Sequence, residues 1–283
     1  MEERSVTKVV KAINTSDGAG VKLKRSIGSS QLSHVDPFLL LDEFKSEDGA
    51  DYIAGFPEHP HRGFETVTYM IHGKMEHKDS FGNRGVIESG GIQWMTAGRG
   101  IVHSEMPLQE NGLLWGFQLW VNLPASHKMI QPRYQDLLPS TIPVIEQENG
   151  IRIKVIAGEF YNTETNEIIE GPVKEIITEP LYLDVYLPSN RSLTIPLTSG
   201  HTTLAYPFEG VIKIKETTIH SNTVAVLSEG ESVRVFAEEN ARFLLIAGKP
   251  LKEPIVRNGP FVMNTKEELQ QAYNDFFSNK IKK

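Results

Sequence analysis

Short apolar runs recur along the whole chain, broken every few residues by Gly, Pro, Asn or Asp, which is how a protein built from many short β-strands reads. Residues 5–13 and 21–27 form the opening strands, PFLLLD at 37–42 is a buried strand by composition, and FETVTYM at 64–70 ends at His72-Gly73. Gly82-Asn83 and Gly90-Gly91 mark tight turns, because glycine accepts positive φ without a steric cost. GFQLWVNL at 116–123 closes the first half. From 124 to 147 the alternation fails, and four prolines (124, 132, 139 and 143) predict a connector running over the surface. Beyond it the same style resumes, with strands expected at 151–157, 181–187, 193–196, 202–206, 211–214, 223–227, 233–236 and 243–248. No repeat of solenoid period is present, so the second half duplicates an architecture and does not extend an array. The end of the chain is different. Thr265-Lys266-Glu267-Glu268 is a capping-box pattern, and Leu269, Ala272, Tyr273, Phe276 and Phe277 follow at helical spacing. The pattern therefore predicts an all-β protein with one amphipathic C-terminal α-helix. Its 283 residues suffice for two domains: 1–130, a connector at 131–147, and 148–283 ending in the helix.

Composition narrows the function classes. With 29 basic against 36 acidic residues the formal charge is −7, which argues against a surface built to neutralise phosphates, so direct nucleic-acid binding is not expected. There are no cysteines, which excludes disulfides and thiolate metal ligation. The opening MEERSVTKVVKAIN lacks an apolar signal core, and no apolar run reaches about eighteen residues, so the expected setting is cytoplasmic, with no membrane association.

The chemistry concentrates in two short pairs, His59-Pro60-His61 and His103-Ser104-Glu105. Side chains at i and i+2 of a strand share a face, so each pair can aim both ligands into one cavity, and two such strands facing across a barrel would bring four groups together. Three imidazoles and a carboxylate suit Fe(II), Mn(II), Ni(II), Cu(II) or Zn(II), and leave open positions on a metal that takes five or six ligands. Glu65 shares the parity of its neighbouring histidines just as Glu105 does, so strand geometry alone does not choose between them. His34, His72, His127 and His220 read as surface or hydrogen-bonded histidines, and His77, one hairpin past the first pair, reads the same way or as a cavity residue that supports a ligand or lines the pocket rim. Gly98-Arg99-Gly100 lacks the Lys and Ser/Thr of a phosphate loop and is a tight turn before His103.

Four segments, GFPEHPHRGFETVTY (55–69), QWMTAGRGIVHSEMP (93–107), QLWVNLP (118–124) and GPFVMNT (259–265), resemble the signature stretches of the pirin family, a branch of the cupin superfamily. The resemblance implies two tandem antiparallel cupin (jelly-roll type) β-barrels, with one divalent metal, iron(II) in the first instance, in the N-terminal barrel only. It implies His59, His61, His103 and Glu105 as ligands, and leaves Glu65 to orient an imidazole or take a proton. The second barrel offers His201 alone where the first has two histidines. The activity implied is dioxygenation of a flavonol such as quercetin, with a small aromatic substrate and O₂ as partners and Glu105 doubling as base. The alternative implied is an iron-dependent, redox-sensing regulator that binds a protein partner in transcription co-regulation. A non-oxidative cupin enzyme is a third, because fold does not fix chemistry. Two barrels in one chain also favour a monomer.

Overall fold

A computed structural model describes residues 2–281. The chain divides into two compact units, one formed by Met1–Ala12, Ser29–Pro37 and Ser140–Pro250, the other by Ile13–Gly28, Phe38–Pro139 and Leu251–Lys283. Each is a cupin-type β unit made of one seven-stranded and one four-stranded antiparallel sheet, with a short two-stranded ribbon added.

In the unit that carries the histidine pairs, the seven-stranded sheet runs in the order Arg133–Leu137, Ile92–Thr96, Phe64–His72, Leu114–Asn122, Phe38–Ser46, Val21–Ile27 and Ile13–Asp17. Its two central strands, Phe64–His72 and Leu114–Asn122, are almost wholly buried, and they bury polar side chains such as Glu65, Thr66, Thr68 and Asn122 along with their apolar ones. The four-stranded sheet has the order Phe56–His61, Ile101–Pro107, Met75–Asp79 and Arg84–Ile87. Phe56–His61 lies at its edge, where Pro57 and Pro60 cost no ladder hydrogen bond.

The other unit repeats this plan. Its seven strands are ordered Val6–Lys11, Thr223–Leu227, Thr202–Glu209, Ala241–Gly248, Leu181–Leu187, Arg152–Ala157 and Val144–Glu146. Its interior is one large aliphatic cluster that includes Ile153, Val185, Ile195, Val235 and Leu245.

Two expectations are corrected. The boundaries at 130 and 148 miss an exchange of termini: the first twelve residues join the later unit, where Val6–Lys11 pairs with Thr223–Leu227, and the last thirty-three join the earlier one. The proline-rich stretch at 131–147 is also more than a connector. Arg133–Leu137 pairs with Ile92–Thr96 and Val144–Glu146 with Arg152–Ala157, so each end supplies an edge strand, the position in a sheet where neighbouring prolines are tolerated.

The C-terminal helix forms at Lys266–Phe277 and is capped as the sequence predicts, the Thr265 hydroxyl accepting from Glu268 N and the Glu268 carboxylate from Thr265 N. Ala272, Leu269, Tyr273 and Phe276 pack with Val102 and Phe261. Arg62, next to His61, donates from Nη1 to Asp275 on this helix at 2.9 Å. Among the described residues no helix is long and apolar enough to cross a membrane.

Candidate metal centre

The two histidine-bearing strands are hydrogen-bonded neighbours and do not face each other across a barrel, as the sequence reading had them. Antiparallel register sets His103 directly opposite His59 and Ile101 opposite His61. Directly paired residues of an antiparallel ladder lie on one face, and residues two apart share it, so all three rings fall on the same side. Ring centroids stand 4.4 Å apart for His59 and His103, 4.7 Å for His59 and His61, and 4.9 Å for His61 and His103. One donor atom from each lies within 4.8 Å of the others.

Tautomers follow from the hydrogen bonds. His59 Nδ1 donates to the Pro57 carbonyl at 2.8 Å, which turns its Nε2 toward the cluster, 3.0 Å from His61 Nε2. Two nitrogens each about 2.1 Å from one ion, at right angles, would stand about 3.0 Å apart. His103 Nε2 is buried with no hydrogen-bond partner among the described residues. Burial first, and the neighbouring His59 second, hold His61 and His103 well below the ordinary histidine pKa, so both rings are neutral, the form that binds metal. Two neutral imidazoles beside a third, with His103 Nε2 buried and unspent, fit a borderline divalent cation.

Behind His103 stands His77, for which the sequence leaves surface, pocket rim and support of a ligand all open. His77 is 1% exposed, and its Nε2 lies 2.8 Å from His103 Nδ1. With Nε2 of His103 kept for the cavity, Nδ1 donates and His77 accepts, which fixes the ring's tautomer and angle. Tyr134, from the supposed connector, packs its ring 4.9 Å from His77. The available signal was parity, since Met75 and His77 alternate inward on Met75–Asp79, but parity does not name the neighbour. Replacing His77 with Phe should weaken metal binding roughly 10- to 100-fold, with His77→Gln recovering part of the loss. Competition with a chromogenic chelator measures this, and unchanged affinity in His77→Phe would refute the role.

The two carboxylates separate by environment. Glu105 is buried; Thr68 Oγ1 donates to its Oε1 at 2.7 Å and Gln118 Nε2 to its Oε2 at 2.9 Å, while Trp120 Nε1 donates to Gln118 Oε1 at 3.1 Å. Both oxygens are thus engaged, and the cluster of mutually close donor atoms consists of the three histidines. Glu65 Oε1 accepts from Thr96 Oγ1, at 2.6 Å, and not from an imidazole. Burial pushes its carboxyl up to about 7, against the pull of the Thr96 hydroxyl, the Trp94 indole and the Arg133 charge.

The sign of the resulting pH dependence is fixed. A group whose pKa is raised on folding stabilises the fold fully below its unfolded value near 4.5 and loses that contribution as pH climbs through about 7. The swing is about 3 kcal/mol. Glu65→Gln keeps the shape and cannot ionise, so its melting temperature should fall less than that of the parent between pH 5 and pH 8. Parallel curves for the two proteins would count against a neutral Glu65.

His59, His61, Phe56, Gln118, Trp120 and Arg257 line a cavity of about 560 Å³. Of the other histidines, His34, His72 and His220 are exposed, and His72 Nδ1 donates to the Leu113 carbonyl at 2.8 Å.

Comparison with known proteins agrees with this architecture. Residues 20–121 match the Pirin family model and residues 182–282 the model for the Pirin C-terminal cupin domain. A pirin-like protein of Caulobacter vibrioides is 48% identical over 98% of both chains, and the pirin of Homo sapiens is 42% identical over 96% of this chain and 92% of its own. A crystal structure of quercetin 2,3-dioxygenase from Acinetobacter baumannii superposes with a TM-score of 0.89 at 36% identity, covering 99% of each chain.

Proposed function

Because the chain belongs to the pirin family, we propose that it is a metal-dependent dioxygenase acting on a flavonol-like aromatic substrate, with one iron(II) held by His59, His61, His103 and Glu105. The observation that carries this reading is the convergence of three imidazoles within 4.8 Å of one another, two of them on the wall of a 560 Å³ cavity, with His103 Nε2 buried and without a partner among the described residues. The likeness to quercetin 2,3-dioxygenase supports the substrate class.

When bound, the metal would supply coordination of a substrate oxygen and activation of O₂. The protein's own groups do the rest. His77 holds His103 in its donor tautomer. Glu105 is the candidate base: its carboxylate is poised between Thr68 and Gln118, and release of the Gln118 amide frees Oε2 to join the ligands or to take a proton from a substrate hydroxyl. Gln118 then has its own amide free for the substrate, while Trp120 keeps its side-chain oxygen fixed. The Phe56 ring, with Phe44 and Leu23, gives the cavity an apolar face against which an aromatic ring can pack.

The test is metal analysis of protein purified without oxygen, followed in the same sample by O₂ uptake on adding quercetin. One iron per chain with uptake supports the proposal. Manganese, nickel, copper or zinc in iron's place, with uptake, would change the metal and keep the reaction. One metal with no uptake would turn the reading to a redox-dependent regulator that binds a protein partner, and no metal would sink both.

A further inference from the structure

The wall of the cavity away from the histidines carries two guanidinium groups and two acids, Asp42 buried and Asp17 exposed, but their pairing is lopsided. Arg25 takes both. Its Nε and Nη2 donate to Asp42 Oδ1 and Oδ2 at 2.9 and 2.7 Å, and Nη2 also reaches Asp17 Oδ2 at 2.6 Å. Asp17 Oδ1 accepts from Gly18 N at 2.8 Å. The third acid of the lining, Glu58, is exposed.

Arg257 is left without a carboxylate at ion-pair distance among the described residues. Its Nη1 donates to the Leu39 carbonyl at 3.0 Å, and its guanidinium carbon sits 4.6 Å above the Trp120 ring. One N–H and one face are therefore fixed, and the remaining N–H groups of a planar fork are unspent at the cavity wall. A cation held this way needs little ordering when it meets a ligand, and the fork matches the two oxygens of a carboxylate.

We propose that Arg257 is the specificity residue of this cavity and selects a planar aromatic anion, its ring against Phe56 and its carboxylate on the guanidinium that Trp120 supports. The proposal rests on the reading of the cavity as a substrate site and narrows the substrate class from neutral polyphenols to aromatic acids or ionised phenols, which share an anionic oxygen.

Two probes of one shape, 2-naphthoate and 2-naphthylmethanol, separate charge from stacking, and neither has the adjacent hydroxyls that chelate a metal. Binding is followed by tryptophan fluorescence in the protein as purified and after metal removal, without O₂. The acid should bind at least about tenfold tighter than the alcohol in both preparations, the scale of a charge-assisted hydrogen bond. Arg257→Gln should abolish that preference while leaving the alcohol's affinity within about twofold, and Arg257→Lys should keep part of it. A 2-naphtholate titration across its ionisation tells a phenolate from a carboxylate: tighter binding of the ionised form at parity with the acid supports the shared anionic oxygen. Three results would overturn the proposal: no preference in the parent protein, a preference that survives Arg257→Gln, or loss of both ligands in both variants. Absence of O₂ uptake with the charge preference intact would remove the dioxygenase and leave the anion site standing.

Discussion

His61→Ala is expected to empty the metal centre and stop O₂-dependent turnover. The ring is 2% exposed, faces His59 Nε2 at 3.0 Å, and is wedged between Phe64 and Trp120 at centroid distances of 5.0 and 5.1 Å, so no other side chain can swing into its place. Losing an outer partner of a ligand costs about 10- to 100-fold in metal affinity, and losing a ligand itself must cost more. Two histidines would remain, His59 half-buried and His103 buried. The fold should survive, because a neutral ring is exchanged for a small apolar side chain on one edge strand, and the sheet's hydrogen bonds come from the backbone. Metal content by mass spectrometry and O₂ uptake with quercetin are the readouts, with His72→Ala as the exposed control that should keep both. Turnover by His61→Ala at the parent rate would mean that the three imidazoles do not carry the reaction.

How far the sequence reaches depends on whether a property is local. Strand spacing, tight turns at glycines, the capping box at Thr265 and the two histidine pairs are all set within a few residues, and each is found where the pattern puts it. Parity also placed the three imidazoles on one side, though the reason is direct pairing of His59 with His103 and not two walls of a barrel. Non-local contacts were invisible. Nothing local tells Val6–Lys11 to pair with Thr223–Leu227, or Arg133–Leu137 with Ile92–Thr96, because a strand's face pattern does not identify its partner. The same gap hid His77 behind His103, Tyr134 beside His77, and Arg257 over Trp120, which is separated from it by most of a domain's length of chain. Glu65 and Glu105 have equal parity. They are distinguished by what surrounds them, a threonine for Glu65 and a threonine with an amide for Glu105.

Gly63→Ala is expected to have the largest effect on stability of any single-methyl change near the site. Gly63 has φ +90°, and a Cβ there would come within 2.0 Å of the Val262 carbonyl oxygen, a backbone atom of Phe261–Met263 that cannot turn aside. Its N–H donates to Gly98 O at 2.8 Å and its carbonyl accepts from the Lys128 ammonium at 2.8 Å. That ammonium is 2% exposed and also donates to Asn122 Oδ1 at 2.8 Å and Val262 O at 3.0 Å, while burial pushes its pKa down to about 8. The added methyl would therefore force apart two segments that one buried cation ties together, and unsatisfy its hydrogen bonds. Positive φ in a non-glycine residue costs about 1–3 kcal/mol, and the clash with its broken contacts brings the total to about 3–5 kcal/mol. For a unit of this size the melting temperature should drop by roughly 10 °C or more. Metal affinity should fall with it, since His61 lies two residues upstream on the displaced strand. Gly82→Ala isolates the clash from the strain: φ is again +90°, but nothing lies within 4 Å of the added Cβ. Its cost should stay near the strain alone, about 1–3 kcal/mol, with metal binding unchanged. Equal losses of stability in the two variants would show that the Val262 contact contributes nothing, and that the loop after the histidine pair is free to move away from the C-terminal strand.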